Sequence, residues 1–481
     1  MKLGELLQGL TVLQSNVDRE QEISGVSYDS RRVAAGHLFV AVEGYETDGH
    51  RYIPAAIAAG AACVLCQREP EGDIPFVRVA DSRGALAQIG ENWYGSPAEK
   101  LTLIGVTGTN GKTTTTYLLK DILEKCRGAK VGLIGTNQNM IGQEILPAER
   151  TTPESFDLQG LFRQMLDGGC THVVMEVSSH ALYLQRLGNV RFQVGIFTNL
   201  TQDHLDFHKT MEQYCDAKAL LFTRCETGVY NADDAWAERL MRHAVCRKSS
   251  FGERSGDLRA EKIRLGAEFV AFDAVTKEQS VPIQVFIPGG FMVYNTLGVL
   301  AAAQALGISL EESAAVLAET DHVKGRVEPV PTDGDYTILI DYAHTPDALE
   351  NVLQAVRGFA RGRVVVLFGC GGDRDRTKRP QMGRIAVERS DFAIITSDNP
   401  RTEEPSAIIA DILEGIQGTT TPYVAIENRV EAIHYAIDHA RSGDVIVLAG
   451  KGHETYQIIG REKHHLDERE VVAAYLERRR Q

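Results

Sequence analysis

The chain has 481 residues, with 65 acidic against 51 basic side chains and a formal net charge of −14. That length is too great for one core and predicts about three domains at roughly 100–200 residues each. The acidic balance excludes broad, nonspecific nucleic-acid binding, which needs basic surface, yet leaves room for small anions in a local cationic pocket.

The N-terminus, MKLGELLQGL, carries Lys2 and Glu5 and lacks an apolar core followed by a small-residue cleavage site. It reads as a short amphipathic helix and not as an export signal. No stretch supplies about 18 consecutive apolar residues, so no membrane span is expected. Eight scattered cysteines suit a reducing compartment, and a cytoplasmic location is expected.

Residues 1–98 read as a small α/β domain: HLFVAVEG and AACVLC are strand-like, and PAAIAAGAA between them is helical in character. Cys63 and Cys66 form a lone C-x-x-C with no second pair at zinc-finger spacing, so they read as buried structural thiols. ENWYGSPAEK, with Gly95 and Pro97, reads as a linker, after which LTLIGVTG opens a second domain over 99–327. There KVGLIGT, HVVMEVSS and VGIFTNL are near-continuous apolar strands alternating with helical or polar sequence. That pattern predicts a parallel sheet covered on both faces. A third alternating set, YTILIDYAH, RVVVLFGCGG, FAIITSDNP and DVIVLAGKG, fills 328–481. Each strand ends in a glycine-rich or polar turn, where ligands of open α/β sheets collect.

The stretch 105–116, GVTGTNGKTTTT, joins a strand to a helix through a glycine turn. The common pattern G-x-x-x-x-G-K-[ST] requires a glycine where this chain has Val106; Gly105 stands one residue early. The physical recipe for a phosphate site is intact. Glycines let backbone N–H groups approach phosphate oxygens, the helix N-terminus adds positive potential, and Lys112 can reach the β- and γ-phosphates. Thr113 or Thr114 can offer a hydroxyl to Mg²⁺. The loop alone fits kinases, GTPases, motor ATPases and ligases, although no guanine-reading N-K-x-D occurs. Further strand ends supply Glu176 and the group Asn199, Asp203, His204, Asp206 and His208. Glu176 and His204 suit a hard cation that takes few protein ligands and keeps waters. Lys218, in the helical stretch MEQYCDAKALLF, reads by itself as a surface lysine.

GTNGKTT, TTP, EVSSHAL, TNLTQDHLDFH, YNTL, KGRVE, DYAHTPDAL, GCGGDRDRTKRPQMG, DNPRTEEP and AGKGHE occur in that order over nearly the whole chain. In these ten motifs the sequence resembles the bacterial Mur ligases, and among them the branch that adds the third residue of the peptidoglycan stem peptide. Folylpolyglutamate synthase shares the phosphate loop and general plan but not the rest. A nonenzymatic ATP-driven scaffold would not need a second substrate pocket.

The resemblance implies an α/β fold of three domains. A small N-terminal domain holds the UDP end of the substrate, a central P-loop ATPase-like domain has a parallel sheet, and a Rossmann-like C-terminal domain takes the amino acid. It implies amide formation driven by ATP with Mg²⁺, through an acyl phosphate on the D-glutamate side chain of UDP-MurNAc-L-Ala-D-Glu. Gly108, Thr109, Asn110, Gly111, Lys112, Thr113 and Thr114 are then ATP contacts, joined by Asn295, Arg326 and Asp341. Thr114, Glu176 and His204 are implied magnesium ligands, as is Lys218 carrying a carbamate; Lys112, Glu176, His204 and Lys218 form the catalytic set. Ser30, Thr151, Thr152, Ser178 and Arg186 are implied contacts to the UDP-sugar-dipeptide. Arg374, Asp398, Asn399, Pro400, Arg401, Gly450 and Glu454 are the implied amino-acid pocket. The added residue in such enzymes is meso-diaminopimelate or L-lysine, which differ by one distal carboxylate. Arg401 in D-N-P-R supplies a cation for that carboxylate and points to diaminopimelate. A monomer is expected.

Overall fold

The computed structural model describes residues 1–44, 47–266, 269–320 and 323–480. Two compact units emerge: Met1–Gly105 with Ala129–Gln193, and Val106–Gly128 with Val194–Gln481.

In the first unit a five-stranded sheet runs in the order Val12–Ser15, Phe76–Val79, Cys63–Cys66, His37–Val40, Gly25–Ser27. Its strands are parallel except the edge strand Val12–Ser15, which is antiparallel to its neighbour. CVLC is buried at all four positions, and burial pushes the Cys63 thiol up to about 12 and the Cys66 thiol up to about 11. Neither is a nucleophile at neutral pH, so both are structural thiols, as the spacing predicts. The helix Ser82–Tyr94 starts where the Asp81 carboxylate accepts from the Arg83 and Gly84 N–H groups, and it stops at Gly95, whose φ of 72° is left-handed. Its Gly90 lets the helix Ser155–Asp167 approach closely: a Cβ there would lie 3.2 Å from the Phe156 Cα. A second sheet runs from Thr102–Thr107 through His172–Glu176, Val131–Ile134 and Asn139–Ile141 to Glu144–Leu146. His172–Glu176 and Val131–Ile134 are parallel, whereas the last two strands are antiparallel additions.

In the second unit the strands Phe192–Phe197, Cys225–Asn231, Arg247–Gly252, Leu258–Leu265, Val270–Val275 and Ser280–Val285 lie side by side in chain order. Pairing is parallel from Cys225–Asn231 to Leu258–Leu265 and antiparallel beyond it. The parallel sheet expected over 99–327 is therefore mixed. The outermost strand, SVPIQV, alternates between buried and exposed residues because one face meets solvent.

The six-stranded sheet of this unit has the order Glu328–Val330, Thr337–Asp341, Val445–Ala449, Val364–Phe368, Phe392–Ile395, Tyr423–Ala425. All pairs are parallel except the first. Val364, Val366 and Phe368 enter the core on one face, and Val365 and Leu367 enter the core on the other. A strand buried on both faces must be apolar throughout, which is why this one reads VVVLF. Among the described residues no helix is long and apolar enough to cross a membrane.

Candidate active site

The phosphate loop leaves the strand Thr102–Thr107 and becomes the helix Lys112–Arg127, with Gly111 as its N-terminal cap. Gly108 has φ 152° and Gly111 φ 85°. A Cβ on Gly108 would collide with the Thr198 hydroxyl, and one on Gly111 with the Asn295 amide oxygen. Glycine is thus required by both backbone conformation and close approach. The segment Thr198–Thr201 clamps the loop. The Asn199 carbonyl accepts from the Thr109 N–H (2.9 Å), the Asn199 side-chain oxygen accepts from the Asn110 N–H (2.9 Å), and the Thr198 hydroxyl donates to the Asn110 carbonyl (2.7 Å). The Lys112 ammonium donates to the Gly108 and Thr109 carbonyls at 2.9 Å each.

Lys218 is not a surface residue. It sits on the helix Met211–Ala219 at 2% exposure, with its Nζ 2.9 Å from the Gly108 carbonyl and 4.5 Å from the centre of the Tyr214 ring. Burial first, and then the Lys112 charge, hold its amine well below the ordinary lysine range. Its helical periodicity is indifferent to this; only the tertiary fold carries that turn under the phosphate loop. His204 has φ 55° and donates its backbone N–H to Asp203 (2.9 Å), while its ring lies 3.3 Å from the same carboxylate. Burial works against the Asp203 charge, but His204, Lys378 and His344 more than offset it and hold the carboxyl below the usual range. Lys378, which opens the helix Lys378–Arg389, lies 4.0 Å from Asp203.

Several contacts tie the phosphate loop to residues beyond 320. Arg326 donates to the Thr113 hydroxyl (2.8 Å) and lies over the Tyr342 ring. The Asn110 amide donates to Asp347 (2.6 Å). Asp341 accepts from the Val327 and Ala343 N–H groups (both 2.8 Å), which fixes the chain where it enters the six-stranded sheet. Asn295 is buried against Gly111, and its amide approaches the Met292 sulfur at 3.8 Å.

In the first unit, Thr151, Thr152, Ser178 and Arg186 come together. The Thr152 hydroxyl donates to the Glu176 carbonyl (2.9 Å) and accepts from the Ser178 N–H (3.0 Å); Ser178 in turn caps the helix Ser179–Tyr183. The Arg186 guanidinium donates to the Thr152 carbonyl (3.4 Å) and pairs with the buried Glu154 at 3.3 Å. Thr136 joins Glu176 to Thr151, through its N–H and hydroxyl on the carboxylate (3.0 and 2.9 Å) and a 2.9 Å hydroxyl contact. Glu154 also pairs with Arg83 (3.3 Å) and Arg150 (3.8 Å). Arg83, Thr136 and Glu154 are missing from the sequence reading; Glu154, next to the quoted TTP, was the nearest signal. Ser30 begins the short helix Ser30–Arg32, and among the described residues no hydrogen bond joins it to this network.

A third cluster forms at the carboxyl ends of Val364–Phe368, Phe392–Ile395 and Val445–Ala449. Asn399 donates to Glu454 (2.9 Å), and the Tyr342 hydroxyl reaches the other Glu454 oxygen at 3.5 Å. Arg401 has φ 53° and donates to the Gly372 carbonyl (2.8 Å); its N–H donates to Ile458 (3.1 Å). Such a strained non-glycine residue is a feature of ligand sites. Gly372 has to be glycine because a Cβ would strike the Pro400 carbonyl. Gly450, φ 110°, donates to the Asp341 carbonyl (3.0 Å). Arg374 is exposed and donates to the Asp373 carbonyl (2.9 Å). Lys451, fully buried inside the quoted motif AGKGHE, is a further member that the sequence reading passed over.

Glu176 in the first unit and Thr114 in the second each offer an oxygen donor of the kind that a hard divalent cation takes. Among the described residues no three His, Cys, Asp or Glu side chains converge.

The chain matches three family models: "Mur ligase family, catalytic domain" over 22–94, "Mur ligase middle domain" over 106–303, and "Mur ligase, glutamate ligase domain" over 325–452. It is 47% identical over 463 residues to UDP-N-acetylmuramoyl-L-alanyl-D-glutamate–2,6-diaminopimelate ligase of Clostridium botulinum, covering 95% of both chains. A solved structure of a ligase with the same description matches at 30% identity and TM-score 0.69, covering 100% of this chain and 99% of the other. The MurF ligase from Thermotoga maritima in complex with ADP matches in fold at 18% identity and TM-score 0.62, covering 94% and 97%.

Proposed function

The chain belongs to the Mur ligase family, and from that premise we propose that it is an ATP-dependent ligase of peptidoglycan synthesis. It joins meso-diaminopimelate to the D-glutamate side-chain carboxylate of UDP-MurNAc-L-Ala-D-Glu. The observation that carries this reading is the 47% identity to the Clostridium botulinum ligase over 95% of both chains.

A carboxylate does not condense with an amine unaided. The γ-phosphoryl group of ATP passes to the substrate carboxylate, giving ADP and an acyl phosphate. The neutral amine then attacks the acyl carbon, a proton is lost, and phosphate leaves as the amide forms. Positioning and charge neutralisation dominate such chemistry. In this reading Gly108–Thr114 and Lys112 hold the phosphates, Asn295 and Arg326 meet the nucleotide, and Asp341 fixes the chain near the ribose. Thr114, Glu176, His204 and Lys218 as a carbamate are the ligands of Mg²⁺, which when bound neutralises the phosphate oxygens. The buried position of Lys218 beside the phosphate loop supports that role. Ser30, Thr151, Thr152, Ser178 and Arg186 take the UDP-sugar-dipeptide. Arg374, Asp398, Asn399, Pro400, Arg401, Gly450 and Glu454 take diaminopimelate, with Arg401 for the distal carboxylate. We assign the domains to 1–98, 99–327 and 328–481, and the enzyme to the cytoplasm as a monomer.

Phosphate release tests the reading. It is expected only when both UDP-MurNAc-L-Ala-D-Glu and diaminopimelate are present. Replacing diaminopimelate by L-lysine leaves Arg401 facing no carboxylate, and kcat/KM is expected to fall by about 10⁴-fold. Equal kcat/KM for the two amino acids would overturn the acceptor, and release without any amino acid would overturn the ligase.

A further inference from the structure

We infer that Lys451 is a positioning residue of the acceptor pocket. Its ammonium, fixed between Asp398 and Glu454, keeps Glu454 available as a carboxylate for an ammonium group of the incoming amino acid. The inference rests on the reading of these strand ends as the acceptor pocket.

The Lys451 side chain is 0% exposed. Its Nζ donates to the Tyr456 carbonyl (2.7 Å), the Asn399 side-chain oxygen (3.1 Å) and Glu454 Oε2 (3.2 Å), and lies 3.3 Å from Asp398 Oδ1. An ammonium has three protons to donate, and here a neutral carbonyl, an amide and a carboxylate take them in fixed directions. The Asn399 amide is thereby oriented: its oxygen faces Lys451 and the Ile458 N–H (2.9 Å), so its NH₂ must face Glu454 (2.9 Å). One buried lysine thus orients the Asn399 amide and places its positive charge beside Asp398 and Glu454.

The charge balance explains why a cation belongs there. Glu454 faces Asp398, Lys451, Arg401, Tyr342 and Tyr456, together with the Asn399 amide. Burial and then Asp398 push its carboxyl above the ordinary carboxylate range, and Lys451 and Asn399 offset part of that rise. Asp398, Glu454 and Lys451 together carry one net negative charge, and in this reading Arg401, which also faces Glu454, is matched by the distal carboxylate, so one substrate ammonium balances the rest. Without Lys451 the pair would carry two, and Glu454 would take up a proton and lose its grip on a cation.

The test is the pH dependence of kcat/KM for diaminopimelate in the full-length enzyme, with KM for ATP read in parallel. Lys451→Met is expected to raise KM for diaminopimelate about tenfold and to move the acid limb of the profile up by about one pH unit. KM for ATP is expected to stay within about twofold, and Lys451→Arg to restore the limb. An unmoved limb, or an equal rise in KM for ATP, would overturn the role. Should Lys451→Met not fold, the comparison is made on an Asp398→Asn background, where the carboxylate excess is absent. Adding Lys451→Met there is expected to move the limb up, and no movement overturns the inference. Phosphate release by the unaltered enzyme that ignores diaminopimelate would instead overturn the pocket assignment itself.

Discussion

Lys218 shows how little a single residue discloses in isolation. In MEQYCDAKALLF it has the spacing of an exposed helical lysine, yet the fold buries it to 2% exposure against Gly108. A buried amine is tolerable when it is neutral or converted to a paired anion. Lys218→Ala is therefore expected to lower phosphate release by at least about 10²-fold, the scale for removing one preorganised charge. A short carboxylate added in trans is expected to recover part of it, whereas bicarbonate alone is not. Full activity of the variant without additive would refute the carbamate. Asp203, His204 and Arg401 teach a similar lesson. Their residue types and positions at strand ends were legible, but the left-handed backbone of His204 and Arg401 and the Asp203–Lys378 approach were not. Those depend on partners distant in sequence.

At the scale of elements, strands buried on both faces were legible because they must be apolar throughout. Thr102–Thr107, Val364–Phe368 and Val445–Ala449 fall inside the runs that announced them. The antiparallel strands Val270–Val275 and Ser280–Val285 were missed because the first is a short run broken by Asp273 and the second alternates over only six residues, both weak signals beside those runs. Also illegible was the support beneath the third cluster. Arg429, fully buried, pairs with Glu468 at the start of the last helix (2.8 Å). It also donates to the Ala449 carbonyl (2.8 Å) and the Ser397 carbonyl (3.4 Å). It thus pins the ends of the two strands on either side of Val364–Phe368 and the helix Glu468–Arg480 at one point. Removing one partner of a buried pair costs about 3–5 kcal/mol, so Arg429→Met is expected to lower Tm by roughly 6–20 °C. A thermal melt within about 1 °C of the unaltered protein would contradict this.

At the scale of the molecule, stability should depend on acid in a definite window. Burial, reinforced by Lys378 for His344 and by Arg326 for His453, pushes these imidazoles down to about 4 and about 3. Both pack at a tilt against Tyr342, with ring centres 4.7 and 4.9 Å away. A histidine whose folded value lies below its unfolded value of about 6.5 contributes fully above pH 6.5 and loses that contribution as pH falls toward the folded value. Tm is expected to drop between pH 6.5 and 4 and to drop less steeply in His344→Gln/His453→Gln. Identical slopes would show that other groups dominate.

The third cluster also has a consequence for how an acceptor preference could be transplanted. Its walls are three short segments: 369–376, 398–403 and 450–460, the last including the strand Tyr456–Ile459. Arg401 of the second donates to Gly372 of the first and to Ile458 of the third, Glu454 of the third accepts from Asn399 of the second, and buried Arg379 joins Gly371 to Glu403. Each loop takes its shape from the others. A chimera that borrows one loop from a relative with a different acceptor inherits mismatched walls, whereas one that borrows all three as a set keeps the lattice of bonds that shapes the cavity. If these strand ends take the acceptor as proposed, the heritable unit of specificity is the interlocked trio, and its boundaries are the places where a graft should be cut.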